Sequence, residues 1–80
     1  MEVKVNFRIT KDNEIIAVFM GKQRNNTYLC YSIYDDMHFD SDKTYLKECK
    51  PARNYNIDEL CNYLKNRGYS KIKVLNRIIY

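Results

Sequence analysis

The chain has no tryptophan, one proline, two glycines and one histidine among its 80 residues. Because the glycines stand alone at Gly21 and Gly68, there is no glycine-rich phosphate-binding loop. No apolar run approaches the roughly 20 residues that span a bilayer, and the alternating N-terminus has no apolar signal core. These absences argue against a P-loop enzyme and a membrane protein, and we expect a soluble, cytoplasmic protein.

Cysteine is scarce and shows no paired spacing. Cys30, Cys49 and Cys61 form an odd set without a CxxC motif, which argues against a disulfide framework and against a zinc knuckle. We therefore expect three reduced thiols and no cofactor.

The length allows one small domain, residues 1–80, with a single core. Eight tyrosines are the most unusual feature that is present. A tyrosine buries its ring and keeps its hydroxyl in water or hydrogen-bonded, so it suits both a core and a sheet surface. A stacking platform for nucleic acid is the more specific alternative.

The formal net charge of +4 is unevenly distributed. Residues 1–34 carry five bases and three acids, residues 35–42 carry four acids and no base, and residues 43–80 carry nine bases and three acids. A basic half indicates either a solvated surface or an anionic partner.

Alternating apolar residues predict three N-terminal strands. Residues 2–10 place Val3, Val5, Phe7 and Ile9 on one face, and the polar turn at 11–14 makes a hairpin with the apolar strand at 14–20. That second strand is apolar on both faces, which indicates a central position or a covered outer face. Residues 21–26 are expected to form a polar turn before a third strand at 27–34.

The segment 57–67 gives the strongest helix signal. Ile57, Leu60, Cys61 and Leu64 form one apolar stripe, which we expect to pack on the apolar face of the first strand. Asn56 suits the N-cap position. Residues 43–50 are ambiguous between a short strand and an extended arm, and residues 71–80 alternate again as a last strand. The predicted fold class is therefore α+β: a two-layer domain with an antiparallel sheet of four to five strands and one helix on one face, in the order β-β-β-(β)-α-β.

The stretch YSIYDDMHFDSD, residues 31–42, is a candidate site because acids and the single histidine alternate in it. A calcium loop that began at Asp36 would need glycine and glutamate where Ser41 and Lys47 stand, and one histidine without a cysteine at ligand spacing does not make a transition-metal site. We expect a polar loop without metal.

Nucleophilic catalysis has little support. Cys61 lies on the apolar stripe of the helix, and nothing in the sequence requires Cys30 to meet His38. We expect a protein that is not an enzyme.

Three segments resemble a family of small uncharacterised proteins of bacteriophages and mobile elements. They are FRITKDNEIIAVF (7–19), YLCYSIYDDMH (28–38) and CKPARNYNIDELCNYLKNRGYSKIKVLNRI (49–78), in that order. The chain departs from the family pattern at Met20, where the family has proline, and at Tyr34, where it has a histidine; His38 keeps its place. The resemblance implies no known activity. It implies an accessory role in a bacterial host cell, acting on host machinery.

Two functions from different classes follow. The first is a protein-binding module that inhibits a host defence nuclease, as an anti-CRISPR protein does, by binding a host protein or ribonucleoprotein complex as a monomer or homodimer. The alternative is an RNA- or single-stranded-DNA-binding protein that uses a basic, tyrosine-rich sheet face. The candidate partner-binding residues are the acids Asp35, Asp36, Asp40 and Asp42, the tyrosines Tyr28 and Tyr34, and the bases Lys4, Arg8, Lys71, Lys73 and Arg77.

Overall fold

The computed structural model describes residues 2–24, 27–52, 56–76 and 78; the candidate residue Arg77 lies outside them. The elements in chain order are β1 (Glu2–Ile9), β2 (Ile15–Arg24), β3 (Thr27–Ser32), β4 (Met37–Asp42), α1 (Lys43–Glu48), β5 (Lys50–Pro51), α2 (Ile57–Lys65) and β6 (Lys71–Val74).

The strands form one sheet in the order β4-β3-β2-β1, and both β5 and β6 pair with the outer edge of β1. All pairs are antiparallel except β1 with β6. Strand β6 runs along Glu2–Val5, whereas the two-residue β5 pairs with Arg8 and Ile9. The predicted class, an α+β domain built on an antiparallel sheet, is confirmed.

Two tight turns lie at one end of the sheet. In the β1–β2 turn the backbone N–H of Thr10 donates to the carbonyl of Glu14 at 2.8 Å, and Asn13 takes a positive φ of 62°. In the β3–β4 turn the N–H of Asp36 donates to Ser32 at 2.8 Å, and Asp36 has a φ of 56°. Asparagine and aspartate tolerate this left-handed region better than most residues, so the sequence suits both turns.

The C-terminal helix α2 packs on the sheet as predicted. Leu60 and Leu64 are buried against Val3, Val5 and Phe7, and the half-buried Ile57, Cys61 and Ile9 complete the contact. The side chain of Asn56 accepts hydrogen bonds from the N–H groups of Asp58 and Glu59, as its N-cap position requires. The face of the sheet under this helix is called the α2 face below.

A second cluster lies on the opposite face of the sheet. Ile16, Val18 and Cys30 alternate with the residues of the α2 face along their strands, and they pack against Leu46 of α1 and against Cys49. This face is called the α1 face below. Because β2 is apolar on both sides, its second side must also be shielded from water, and Leu46 of α1, Cys49 and Ile78 shield it.

Strand β4 replaces the expected polar loop, and helix α1 replaces the short strand or extended arm that residues 43–50 left open. Strand β4 is a sheet edge, where alternating polar residues are common, so its pattern resembles that of a loop. Helix α1 is set by its N-cap, because the Asp42 carboxylate accepts from the N–H of Tyr45 at 2.7 Å. In place of the expected loop, only a four-residue turn at residues 33–36 connects β3 and β4.

The prediction of a polar turn at residues 21–26 is wrong for residues 21–24, and Asn25 and Asn26 lie outside the described residues. Strand β2 continues to Arg24, and its register with β3 shifts between Val18 and Gln23. Gly21, with a φ of +77°, lies within this irregular stretch, where a residue with a side chain would be strained.

We predict that Leu46→Ala and Leu60→Ala each lower the free energy of unfolding by about 2–5 kcal/mol, because each removes a side chain buried in one of the two clusters. Urea denaturation monitored by circular dichroism measures the change. The exposed Thr44→Ala and Asn62→Ala in the same helices are the matched controls. A cost below about 0.5 kcal/mol for Leu46→Ala, the usual range for surface substitutions, would show that α1 does not seal the second face.

Candidate functional site

The acids predicted as one patch are divided among different roles. Asp35 is exposed in the β3–β4 turn, and Asp36 beside it forms a salt bridge with Arg67. Asp40 is exposed on the edge strand β4, and Asp42 caps α1. Of the four carboxylates, one is therefore neutralised by an ion pair and one is engaged by backbone.

Asp36 belongs to a three-residue cluster that ties the end of α2 to the β3–β4 turn. The Tyr31 hydroxyl donates to one carboxylate oxygen of Asp36, and Arg67 donates to the other. Arg67 also donates from Nε to the Tyr31 hydroxyl at 3.0 Å. The hydrogen bond from Tyr31, together with the charge of Arg67, lowers the pKa of the Asp36 carboxyl. This cluster is a structural clamp between elements 31 residues apart in sequence.

His38 lies beside the clamp, on the α2 face. Its Nε2 is 2.9 Å from the Tyr69 hydroxyl, and its ring centroid lies 5.0 Å from that of Tyr31. Cys30 occupies the other face, because His38 pairs with Tyr31 while Cys30 pairs with Phe39. The pair of Cys30 and His38 considered from the sequence is therefore not brought together.

The thiols are in poor environments for nucleophilic chemistry. Burial raises the pKa of Cys30 to about 12 and also raises the pKa values of Cys49 and Cys61. The described residues contain no group of three or more histidine, cysteine, aspartate or glutamate side chains placed to hold a metal ion.

Two of the proposed surface residues are not at the surface as expected. Tyr28 is 2% exposed, because it packs in the cluster under α1. Arg8 is half-buried and donates from Nη2 to the carbonyl of Leu46 at 3.3 Å, so it holds α1 in place. The predicted face is therefore covered where Tyr28 and Arg8 lie, whereas its lysines Lys4, Lys71 and Lys73 are exposed.

The large exposed apolar side chains gather at one end of the sheet. Among the described residues they are Tyr34, Met37, Tyr45 and Tyr63, and Tyr34 is the most exposed at 79%. Tyr34 and Tyr63 line a cleft of about 370 Å³ on the α2 face. Met37 and Tyr45 line a cleft of about 260 Å³ on the α1 face. We name the turns at residues 11–14 and 33–36, with these four side chains, the hairpin end.

Carboxylates accompany the aromatic residues of the hairpin end. Glu14 lines both clefts, Asp35 lines the second, and Asp12 lies in the β1–β2 turn. None of the three takes part in the two salt bridges formed by the described residues, which join Lys11 to Glu48 and Arg67 to Asp36. Burial, the Cys49 thiol and the carboxylates of Asp12 and Glu14 raise the pKa of the Tyr45 hydroxyl. The hairpin end is therefore both aromatic and acidic.

Sequence reasoning identified Tyr34 and Asp35 but missed Asp12, Glu14, Met37, Tyr45 and Tyr63. The one available signal was that Tyr63 lies off the apolar stripe of α2, so its ring points away from the core. Glu14 is brought to this end by the pairing of β2 with β3, and Tyr45 is brought there by helix α1.

The candidate lysines lie on strands β1 and β6, at the edge of the sheet opposite β4. Lys4 of β1 and Lys73 of β6 are direct neighbours in the parallel register, and Lys71 lies beside Glu2. All three lysines are exposed. Like charges on directly opposite residues destabilise a sheet. A bound anion would therefore reduce the repulsion between Lys4 and Lys73.

We predict that Asp36→Asn destabilises the protein in a pH-dependent manner. A folded pKa below the unfolded value stabilises the native state above about pH 4, and this contribution is lost as the pH falls through the folded pKa. The difference in unfolding free energy between wild type and variant should be constant from about pH 7 to about pH 5 and should shrink below about pH 4. Asparagine keeps the left-handed turn.

Urea denaturation across this pH range measures the difference. Asp35→Asn, which removes a neighbouring carboxylate that joins neither salt bridge, is the control and should change stability little at neutral pH. A loss of unfolding free energy in Asp36→Asn that does not change with pH would mean that the charge of the carboxylate does not stabilise the fold.

We also predict that Lys73→Glu stabilises the fold by about 0.2–1 kcal/mol, because it places opposite charges on the neighbours Lys4 and residue 73. Lys71→Glu is the matched control, because it places an acid beside Glu2 and should destabilise by a similar amount. Thermal and urea melts at low salt measure both. Shifts of the same sign in the two variants would contradict the register of β1 and β6.

No helix of the described ranges combines the length and apolar character that crossing a membrane demands. Comparisons of the chain with protein-family models, with curated proteins and with solved structures give no match. The function must therefore be argued from the surfaces of this chain.

Proposed function

We propose that this chain is a non-enzymatic protein-binding module that docks through its hairpin end onto a basic surface of a partner protein. The observation that carries the proposal is the clustering of Tyr34, Met37, Tyr45 and Tyr63 with three carboxylates outside the salt bridges. Tyrosine is among the residues that most often anchor interfaces. Tyrosine rings and carboxylates together suit arginine and lysine side chains, through cation–π contact and charge-assisted hydrogen bonds.

The hairpin end is also built on a rigid support. Its turns connect paired strands, and the clamp of Tyr31, Asp36 and Arg67 fixes the β3–β4 turn to α2. A preordered surface loses less conformational entropy when it binds, so more of the contact energy remains as affinity.

The finer proposal is an inhibitor of a host defence nuclease, similar in role to an anti-CRISPR protein, in the cytoplasm of a bacterial host. Nucleic-acid channels are lined by lysine and arginine side chains. An acidic and aromatic surface can occupy such a channel, with carboxylates in place of phosphates and aromatic rings in place of bases. The choice of a defence nuclease rests on the resemblance of the sequence to phage and mobile-element proteins.

Nucleic-acid binding is the second candidate function, favoured by the adjacent exposed lysines Lys4 and Lys73. Lys71 extends the same basic edge. Tyr28 is buried away from this edge and Tyr34 lies at the hairpin end, so the two candidate tyrosines offer no stacking platform beside the lysines. This function would therefore rest on phosphate contacts alone.

Binding measurements with two fluorescent probes test the proposal. An arginine-rich peptide should bind the wild type, and Tyr34→Ala combined with Asp35→Asn should weaken it about tenfold, because both residues are exposed contact groups. Asp58→Asn removes an exposed acid of α2 outside the hairpin end and is the charge-matched control. Lys4→Ala with Lys73→Ala should leave peptide binding intact.

A single-stranded DNA oligonucleotide is the second probe, titrated at two salt concentrations. We expect no saturable binding. Tight DNA binding that falls steeply with salt and disappears in the double lysine variant would overturn the protein-binding proposal in favour of the second candidate. Inhibition of DNA cleavage by a defence nuclease, lost in the Tyr34 and Asp35 double variant, tests the finer proposal.

A further inference from the structure

The cleft on the α1 face of the hairpin end has a floor built from the sheet itself. Ile16, Ser32 and Met37 are successive cross-strand neighbours on β2, β3 and β4, and all three line this cleft of about 260 Å³. Ile16 and Ser32 are buried, so the floor is a fixed part of the fold. Tyr45 of α1, which is 38% exposed, borders the same space and gives it an aromatic wall. This space is called the α1-face cleft below.

Two carboxylates reach the α1-face cleft from two different turns. Glu14 ends the β1–β2 turn and Asp35 lies in the β3–β4 turn, and both line the cleft. The Thr10 hydroxyl accepts from the N–H of Glu14 at 3.2 Å, and the Ser32 hydroxyl accepts from the N–H of Asp35 at 3.2 Å. Thr10 is 7% exposed and Ser32 is 4% exposed. Each carboxylate is therefore carried by a backbone position that a buried hydroxyl holds in place.

The charge of the α1-face cleft is negative. Glu14 and Asp35 take no part in the two salt bridges that the described residues form, and no lysine or arginine is among the described residues that line the cleft. Arg8, on the neighbouring strand β1, donates to the carbonyl of Leu46 instead. His38 also lines the cleft, but its ring packs on the α2 face. A side chain that enters the cleft therefore meets two carboxylates, a tyrosine and a partly apolar floor.

We propose that the α1-face cleft accommodates a single arginine side chain of the partner protein, in preference to lysine. A guanidinium is planar, stacks on aromatic faces and carries forked N–H groups that can donate to more than one carboxylate, whereas a lysine ammonium is a compact and strongly hydrated charge. The floor of the cleft shelters the aliphatic part of the side chain. This assignment rests on the proposed docking of the hairpin end and specifies the side chain that the docking recognises.

Two fluorescent peptides of equal length and charge test the proposal on the wild-type protein. One is arginine-rich, and the other has lysine at every arginine position. The arginine peptide should bind about tenfold more tightly, because only the guanidinium combines stacking with forked hydrogen bonds. In ¹⁵N–¹H spectra of the wild type, the arginine peptide should shift the backbone amides of Ser32 and Asp35 more than that of Tyr63, which lines the cleft on the other face.

A pair of matched variants locates the preference. Tyr45→Leu removes the aromatic wall of the α1-face cleft and should bring the two peptides to nearly equal affinity. Tyr63→Leu removes a tyrosine of similar exposure from the cleft on the α2 face and should keep the preference for arginine. Circular dichroism checks that both variants are folded, and the spectra of the wild type do not depend on the variants.

Three results would count against the proposal. Equal binding of the two peptides to the wild type would overturn the arginine assignment and leave the docking proposal in place. Binding of neither peptide would overturn the docking proposal and the arginine assignment with it. A preference that Tyr63→Leu abolishes and Tyr45→Leu keeps would overturn the assignment, because the arginine would then enter the cleft of the α2 face.

Discussion

The two-sided burial of β2 is the constraint on which the rest of the structure depends. Residues Ile16–Phe19 of this central strand are all buried, two on each face, so both faces must be covered. Helix α2 covers one face, and α1 covers the other together with Cys49 and Ile78. An 80-residue chain has few elements, and here they cover both faces of the sheet. The surfaces left for binding are therefore the edges and ends of the sheet.

This constraint assigns the polar residues their roles. Asp42 caps α1, Arg8 donates to its backbone, and the clamp of Asp36 with Arg67 holds the far end of α2. Some of the charged residues that the sequence offered for partner binding therefore hold the two helices on the sheet instead. The hairpin end keeps its tyrosines and carboxylates exposed, which is why we place the binding function there.

The elements with strong local signals were predictable from the sequence. Strands β1 to β3 and helix α2 follow from periodicity, and the stripe of Leu60 and Leu64 packs where the pattern placed it. Strand β4 was missed because an edge strand with acids at every second position has the composition of a loop. Helix α1 spans only six residues and lacks an apolar stripe long enough to detect.

The candidate site was less predictable than the fold. Tyr34 was identified from the strand pattern of residues 27–34 and Asp35 from the acidic run at 35–42, whereas Tyr63 joins Tyr34 only through the packing of α2 on the sheet. The pairing of Lys4 with Lys73 required knowledge that β6 lies beside β1. Tyr28 is buried in the cluster that contains Leu46 of α1, so the missed helix is one reason why this tyrosine was expected at the surface.

The relative accessibility of two tyrosines tests most directly whether both faces of β2 are covered. Brief nitration of the native protein with tetranitromethane, followed by peptide mass spectrometry, reports each ring separately. Tyr34 is 79% exposed and Tyr28 is 2% exposed, so Tyr34 should react while Tyr28 stays unmodified until the protein is unfolded. Nitration of Tyr28 at a rate similar to that of Tyr34 would show that the second face is open to solvent and would contradict the arrangement described here.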